Sequence, residues 1–125
     1  FYELKNINLS LPSLTKVNCL LVKKLLTKYY KKKIVFKKPN DLLINKKKIS
    51  GILQENISIL GKKFLIVGIG INLVKNPKLI NYPTTNLFEL INKSVSKIKL
   101  ENELKQLFEK NLTRLYKINF KINKI

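Results

Sequence analysis

Apolar and polar positions follow two different periods along this chain. Phe1, Leu4, Ile7 and Leu9 alternate weakly, as the tail of a strand would. From Ser13, with Pro12 ahead of it, Leu14, Val17, Leu21, Leu25 and Tyr29 recur at helical spacing, and no Gly or Pro intervenes before Pro39. That spacing predicts an amphipathic helix ending in Lys31, Lys32 and Lys33, where a basic run suits the helix dipole. Ile34 to Phe36 predict a short buried strand. It should end in a fixed bend at residues 37–41, because Pro39 has no amide hydrogen and Asn40 and Asp41 tolerate turn geometry. Leu42 to Ile44, a turn at Asn45 to Lys47, and Lys48 to Glu55 read as a hairpin, with Lys48, Ser50, Ile52 and Gln54 on one face and Gly51 on the other. Residues 56–63, with Gly61, read as a connecting loop.

The strongest alternation lies at Phe64 to Asn72. Leu65, Val67, Ile69 and Ile71 form one apolar face, and Phe64, Ile66, Gly68, Gly70 and Asn72 form the other. Residues 74–85 are a loop carrying Pro77 and Pro83. Asn86 with Glu89 three positions on begins a helix through Ser94 in the manner of a capping box. A further helix from Glu101 carries Leu104, Leu107, Phe108, Leu112 and Leu115 at core spacing to Ile118, and residues 119–125 alternate like a strand. Together these periods predict an α+β fold, a mixed and largely antiparallel sheet packed with helices.

Composition changes this picture in three places. At 125 residues and 45% hydrophobic, the chain supports a single modest core. Its 26 Lys and Arg against 7 Asp and Glu give a charge of +19, which ordinarily suggests a polyanion partner. Yet Arg114 is the one arginine, and lysines run from Lys5 to Lys124. Phosphate and base-edge recognition favours arginine, so the charge reads as a solvated lysine surface with non-specific binding at low salt and no specific nucleic acid. Cys19 alone, without any His, excludes an internal disulfide and the usual zinc sites, and suggests a reducing compartment. The longest apolar runs are too short to cross a bilayer, and residues 1–10 lack the regions of a signal peptide. The expectation is a cytoplasmic protein with no membrane association. A first residue of Phe1 and the lack of any Met suggest a piece of a longer reading frame.

Candidate chemistry concentrates in residues 37–72, which hold the one Asp, Asp41, and all four glycines. A glycine inside a strand marks a bulge or a close backbone approach, to a ligand or to another chain segment. For Gly68 and Gly70 the two alternatives are a flat ligand lying on the backbone, with Asn72 at its end, and a closely packed helix. A dinucleotide fingerprint is excluded, since Leu73 stands at the third glycine position of GxGxxG and Asn76-Pro77 follows where a helix should begin.

Three segments in order resemble one family, the biotin–protein ligases, whose adenylating domain is related in fold to class II aminoacyl-tRNA synthetases. Lys37-Lys38-Pro39-Asn40-Asp41 resembles its Lys-Trp-Pro-Asn-Asp motif, residues 48–55 its Lys-x-x-Gly-Ile-Leu-x-Glu strand, and residues 67–72 its Val-Gly-x-Gly-Ile-Asn strand. Thr84-Thr85-Asn86-Leu87 resembles the family's Ala-Thr-Ser-Leu segment. Lys38 replaces the motif's Trp, and Lys46 a turn Gly. The resemblance implies a biotin–[acetyl-CoA-carboxylase] ligase, which joins biotin to ATP with Mg²⁺ and passes the biotinyl group to a lysine of a biotin carboxyl carrier domain. It also allows a homodimer.

By that resemblance Lys48 is the catalytic lysine touching biotin and the reacting phosphate. Lys37, Pro39, Asn40 and Asp41 line the adenylate site, Asn72 lies near the phosphates, and Gly51, Gly68 and Gly70 let backbone approach ligand. No protein metal ligand is implied. The family's Gly- and Arg-rich loop has no counterpart in residues 1–36, and no winged-helix segment is present. The expectation is therefore a partial catalytic domain over residues 1–118, with 119–125 as a tail or first strand of a small barrel, weak or inactive as this chain alone. The alternative is a basic nucleic-acid-binding or decayed domain that keeps the fold without catalysis.

Overall fold

The computed structural model describes residues 1–4, 7, 9–78 and 82–120, the stretch 113–120 by its backbone. Five strands form one antiparallel sheet: β1 (Tyr2–Glu3), β2 (Val35–Lys37), β3 (Asp41–Ile44), β4 (Lys47–Ile59) and β5 (Lys62–Ile71), in the order β1-β5-β4-β3-β2. Helices α1 (Leu11–Leu26), α2 (Leu87–Ile91) and α3 (Lys97–Phe120) complete the domain. The α+β class expected from the two periodicities is the one observed.

α1 begins earlier than its spacing suggested. Ser10 is the N-cap, its hydroxyl accepting from the Ser13 amide, and Pro12 falls in the first turn, where a missing amide hydrogen costs nothing. It also stops earlier, at Leu26, so Lys23 and Lys24 lie in its last turn, while Lys31 reaches back to donate to the carbonyl of the C-cap Thr27 at 3.0 Å. Leu14, Cys19, Val22 and Leu26 are buried against the sheet, and Leu21 and Leu25 against Leu100 and Leu107 of α3, where each large apolar side chain contributes roughly 1.5–3 kcal/mol. Asn18 sits among them fully buried, accepting from Tyr2 Oη at 3.3 Å and donating to Gln54 Oε1 at 2.9 Å, so its polar cost is met.

Residues 56–63 are not a loop. β4 and β5 pair without interruption from Ser50↔Ile71 to Ile59↔Lys62, and a two-residue turn at Leu60 and Gly61, both at positive φ, joins them. Polar Asn56 and Ser58 hid the strand because the distal hairpin lies in solvent on both sides, where periodicity carries no signal. The β3–β4 turn is likewise tight, with Asn45 and Lys46 at φ +52° and +64°. Lys46 thus takes the left-handed position that glycine fills more easily.

β2 is an edge strand rather than a buried one: Val35 is exposed, and Ile34, just before it, supplies the buried side chain. α2 is shorter than its pattern, closing at Asn92 in the left-handed conformation. α3 is longer, starting at Lys97 with the Ser96 hydroxyl accepting from the Lys99 amide and running through Phe120. Residues 119–120 are therefore helical where a strand-like tail was expected, and residues 121–125 of that tail lie outside those described.

Leu42, Ile44, Ile49, Ile52, Val67, Ile69 and Ile71 meet the helices on one face of the sheet. The opposite face carries Gly51, Leu53, Ile66, Gly68 and Gly70 and is open, with Leu53 76% exposed.

Candidate active site

Residues directly opposite in an antiparallel pair share a face. Leu42 opposes Ser50 and Leu43 opposes Lys48, which leaves Ile49 as an extra residue in β4. This bulge reverses the alternation, so Lys48 and Ser50 point to opposite faces, contrary to the expectation that they share one. Ser50 goes to the core, where its hydroxyl donates to Gly70 O at 2.7 Å. Lys48 goes to the open face, with Gly51, Asp41 and, through the Lys37↔Asp41 pair, Lys37.

Asn72, one residue past β5, clamps the bulge from the neighbouring strand. Its amide donates to Ile49 O at 3.0 Å, and its side-chain Nδ2 donates to Lys48 O at 3.4 Å and Thr85 O at 3.0 Å. Where β5 has run out, residues 83–85 continue the pairing: Lys48 N donates to Pro83 O, and Thr85 N to Lys48 O, each at 2.9 Å. Asn40 braces the other side, donating from Nδ2 to Ile52 O at 2.6 Å and accepting the Ile52 amide at 3.0 Å. Asn40 and Asn72 thus hold backbone.

The Lys48 ammonium lies 3.1 Å from Asp41 Oδ1, in a pair whose side chains are 30% and 12% exposed. Asp41 Oδ2 accepts from the hydroxyl of Tyr82. The Tyr82 ring in turn lies under the Lys37 ammonium, 4.7 Å from its centroid, and near Lys48 Nζ at 5.5 Å. Burial, then the hydrogen bond and charge of Asp41, push the Tyr82 phenol up to about 12. No periodicity marks Tyr82: it stands in a stretch with no regular secondary structure, and only tertiary folding brings it to Asp41.

The three strand glycines differ. A Cβ at Gly51 would stand 2.9 Å from Lys48 Cε and 3.0 Å from its Nζ, so Gly51 makes room for the lysine itself rather than for ligand alone. At Gly68 and Gly70 a Cβ would meet nothing closer than Leu53 O at 3.6 Å and Gly51 O at 3.9 Å. Among the described residues no helix packs on them, which removes the packing alternative and leaves an open floor.

Over that floor is a groove of about 450 Å³ lined by Asn40, Lys48, Gly51, Gly68, Gly70 and Asn72, within the range of small-molecule sites. Asp41 and Lys37 adjoin it through Lys48 and Tyr82. Pro39, after a cis Lys38–Pro39 bond, lies elsewhere, lining a groove on the helix side with Leu11, Phe36 and Gln54. Among the described residues no group of three or more His, Cys, Asp and Glu side chains could hold a metal. No described helix is long and apolar enough to cross a membrane.

A five-stranded antiparallel sheet of this order, backed by helices on one face and bare on the other, has the class II synthetase-like fold of the biotin protein ligases. The chain belongs to the biotin/lipoate A/B protein ligase family, whose model matches residues 3–72. It is similar to the apo biotin protein ligase of Aquifex aeolicus, at 30% identity and a TM-score of 0.76 over 94% of this chain and 52% of that one. A further match is the Leishmania major biotin protein ligase bound to biotinyl-5-AMP, at 24% identity and TM-score 0.64 over 91% of this chain and 56% of that one, a likeness of fold. Another is P. falciparum LipL1 in complex with lipoate, at 25% identity and TM-score 0.56 over 89% of this chain and 33% of that one. The chain thus spans about half the length of the Aquifex structures. No curated protein matches it.

Proposed function

We propose that the protein is an ATP-dependent biotin–protein ligase of the cytoplasm, acting on a lysine of a carboxylase carrier domain. One observation carries this reading: the Ile49 bulge turns the Lys48 ammonium onto the glycine floor, beside a groove of about 450 Å³. In the first step a carboxylate oxygen of biotin attacks the α-phosphorus of ATP, and the bond to the β-phosphate breaks as pyrophosphate leaves. Two anions must approach each other there, and Lys48 with Lys37 would offset that charge as it concentrates in the transition state. In the second step the neutral amine of the carrier lysine attacks the acyl carbon and AMP departs. Asp41 keeps the Lys48 ammonium aimed, and Gly68 and Gly70 let the adenylate lie against backbone. Among the described residues no carboxylate cluster fits a protein-held Mg²⁺; a magnesium ion would enter on the nucleotide's phosphates.

Biotin is preferred to lipoate because the Aquifex biotin protein ligase in complex with biotin and ATP matches this chain at a TM-score of 0.76, against 0.56 for the lipoate-bound LipL1. An NMR titration of the chain with non-hydrolysable biotinyl- and lipoyl-adenylate analogues tests both choices. The expected result is shifts at Gly51, Gly68, Gly70 and Asn72, stronger with the biotinyl compound and lost in Lys48→Ala. Stronger binding of the lipoyl compound would transfer the assignment to lipoate. Binding of neither, with salt-sensitive binding of any polyanion, would favour a non-catalytic basic domain.

A further inference from the structure

Tyr82 is held by the same backbone that holds Lys48. The residue after it, Pro83, accepts the Lys48 amide, and Thr85 donates back to the Lys48 carbonyl. Ring and lysine therefore share one reference frame, in a part of the chain whose pattern predicted only a loop.

We propose that Tyr82 is a positioning residue for Lys48, acting through Asp41, and that it presents Lys37 and Lys48 to an anionic phosphate ligand as a fixed pair. The proposal rests on the ligase reading above. A carboxylate has two oxygens, and one partner leaves it free to turn. Here Oδ1 takes Lys48 at 3.1 Å and Oδ2 takes the Tyr82 hydroxyl, so both are committed and the carboxylate plane is set. A phenol is a proton donor throughout the neutral range, and burial and Asp41 push that of Tyr82 further up, to about 12. Its ring supplies the second half of the device. At 4.7 Å from Lys37 Nζ and 5.5 Å from Lys48 Nζ it attracts both ammoniums, which would otherwise repel each other beside the groove. The hydroxyl fixes direction and the ring fixes spacing. A phenylalanine at this position keeps the ring and loses the hydroxyl, which separates the two roles.

The test compares the wild-type chain with Tyr82→Phe, Asp41→Asn and the double variant. The Lys48 Cε–Hε NMR resonance, assigned by its loss in Lys48→Arg, is read first without ligand and then during titration with AMP. Tyr82→Phe is expected to move that resonance toward those of freely mobile lysines and to weaken AMP by about tenfold, the loss expected for one hydrogen bond to a charged group. In the Asp41→Asn background it should add no further change, as coupling through Asp41 requires. Asp41→Asn should also lower the Tyr82 phenol from about 12 toward the ordinary tyrosine value, read from tyrosinate absorbance. An unchanged Lys48 resonance in Tyr82→Phe overturns the proposal, whatever AMP does. So does a Tyr82 phenol unmoved by Asp41→Asn, a readout that does not depend on Tyr82→Phe folding. If the resonance moves as expected but the wild type binds neither AMP nor the adenylate analogue, the positioning role stands and the ligase reading falls.

Discussion

Replacing Gly51 by alanine places a methyl 2.9 Å from Lys48 Cε, 3.0 Å from its Nζ and 3.4 Å from Asp41 Oδ1. The first two distances are too short to persist, but the atoms that must yield are the far end of a flexible side chain. The lysine therefore swings away and the strand stays. Gly51 is not at positive φ, so alanine suits its backbone and lowers the entropy of the unfolded chain, a gain of about 0.4–1 kcal/mol. Against this stands the lost Lys48–Asp41 pair, which at 30% exposure of the lysine side chain is worth about 1 kcal/mol after solvent screening. The two nearly cancel. Thermal unfolding should move by no more than about 5 °C. Function should not cancel in the same way, because in the proposed ligase mechanism the displaced ammonium is the cation that meets the ligand. Removing a positioned electrostatic group typically costs about 10²–10³ in rate, and at least about tenfold in adenylate-analogue affinity is expected here. Differential scanning fluorimetry and calorimetric titration measure the two quantities on one sample. Gly68→Ala is the control for stability, its Cβ meeting nothing nearer than 3.6 Å. The reasoning is refuted if Gly51→Ala binds the analogue as tightly as wild type, or if it unfolds the chain by more than about 3 kcal/mol, since the methyl would then press on something other than Lys48.

Asn72→Ala removes the side-chain donors to the Lys48 and Thr85 carbonyls and should lower stability by about 1–3 kcal/mol while loosening residues 83–85, seen as faster amide exchange at Thr85. Asn86→Ala removes the N-cap that accepts from the Glu89 amide and should cost about 1 kcal/mol in chemical denaturation, with ligand affinity little changed. Tyr29, pushed up to about 12 by burial and by Glu103, and Tyr82, pushed up to about 12 by burial and by Asp41, hold their protons more tightly folded than unfolded. Their contribution is complete below about pH 10 and is lost as pH rises from about 10 to about 12, so denaturation midpoints should fall across that window. Tyr29→Phe together with Tyr82→Phe should flatten that fall, and an equally steep fall in the double variant would count against it.

What the sequence made legible, and what it did not, divides by whether a signal is local. α1 was visible because seven of its residues are buried on one stripe, and β5 because its alternation separates a core face from a bare one. The distal half of β4 was missed because both of its faces there meet water, and no hydrophobic period can record a strand held by backbone pairing alone. The site was half legible in the same sense. Gly68, Gly70 and Asn72 could be picked out by type and spacing and Lys48 by the family resemblance, and they do converge on one groove. Their roles could not be, because one extra residue decides them. Counting by twos from Ser50 puts Lys48 in the core; the Ile49 bulge puts it on the open face. A bulge has no composition of its own, only consequences: a lysine that needs Gly51 to be bare, an asparagine spent on backbone carbonyls, and a tyrosine from a distant loop closing the second oxygen of Asp41. Each of these three residues is explained once Lys48 faces outward, and none is explained if it faces in. That shared dependence is why the bulge, more than any single side chain, defines this site.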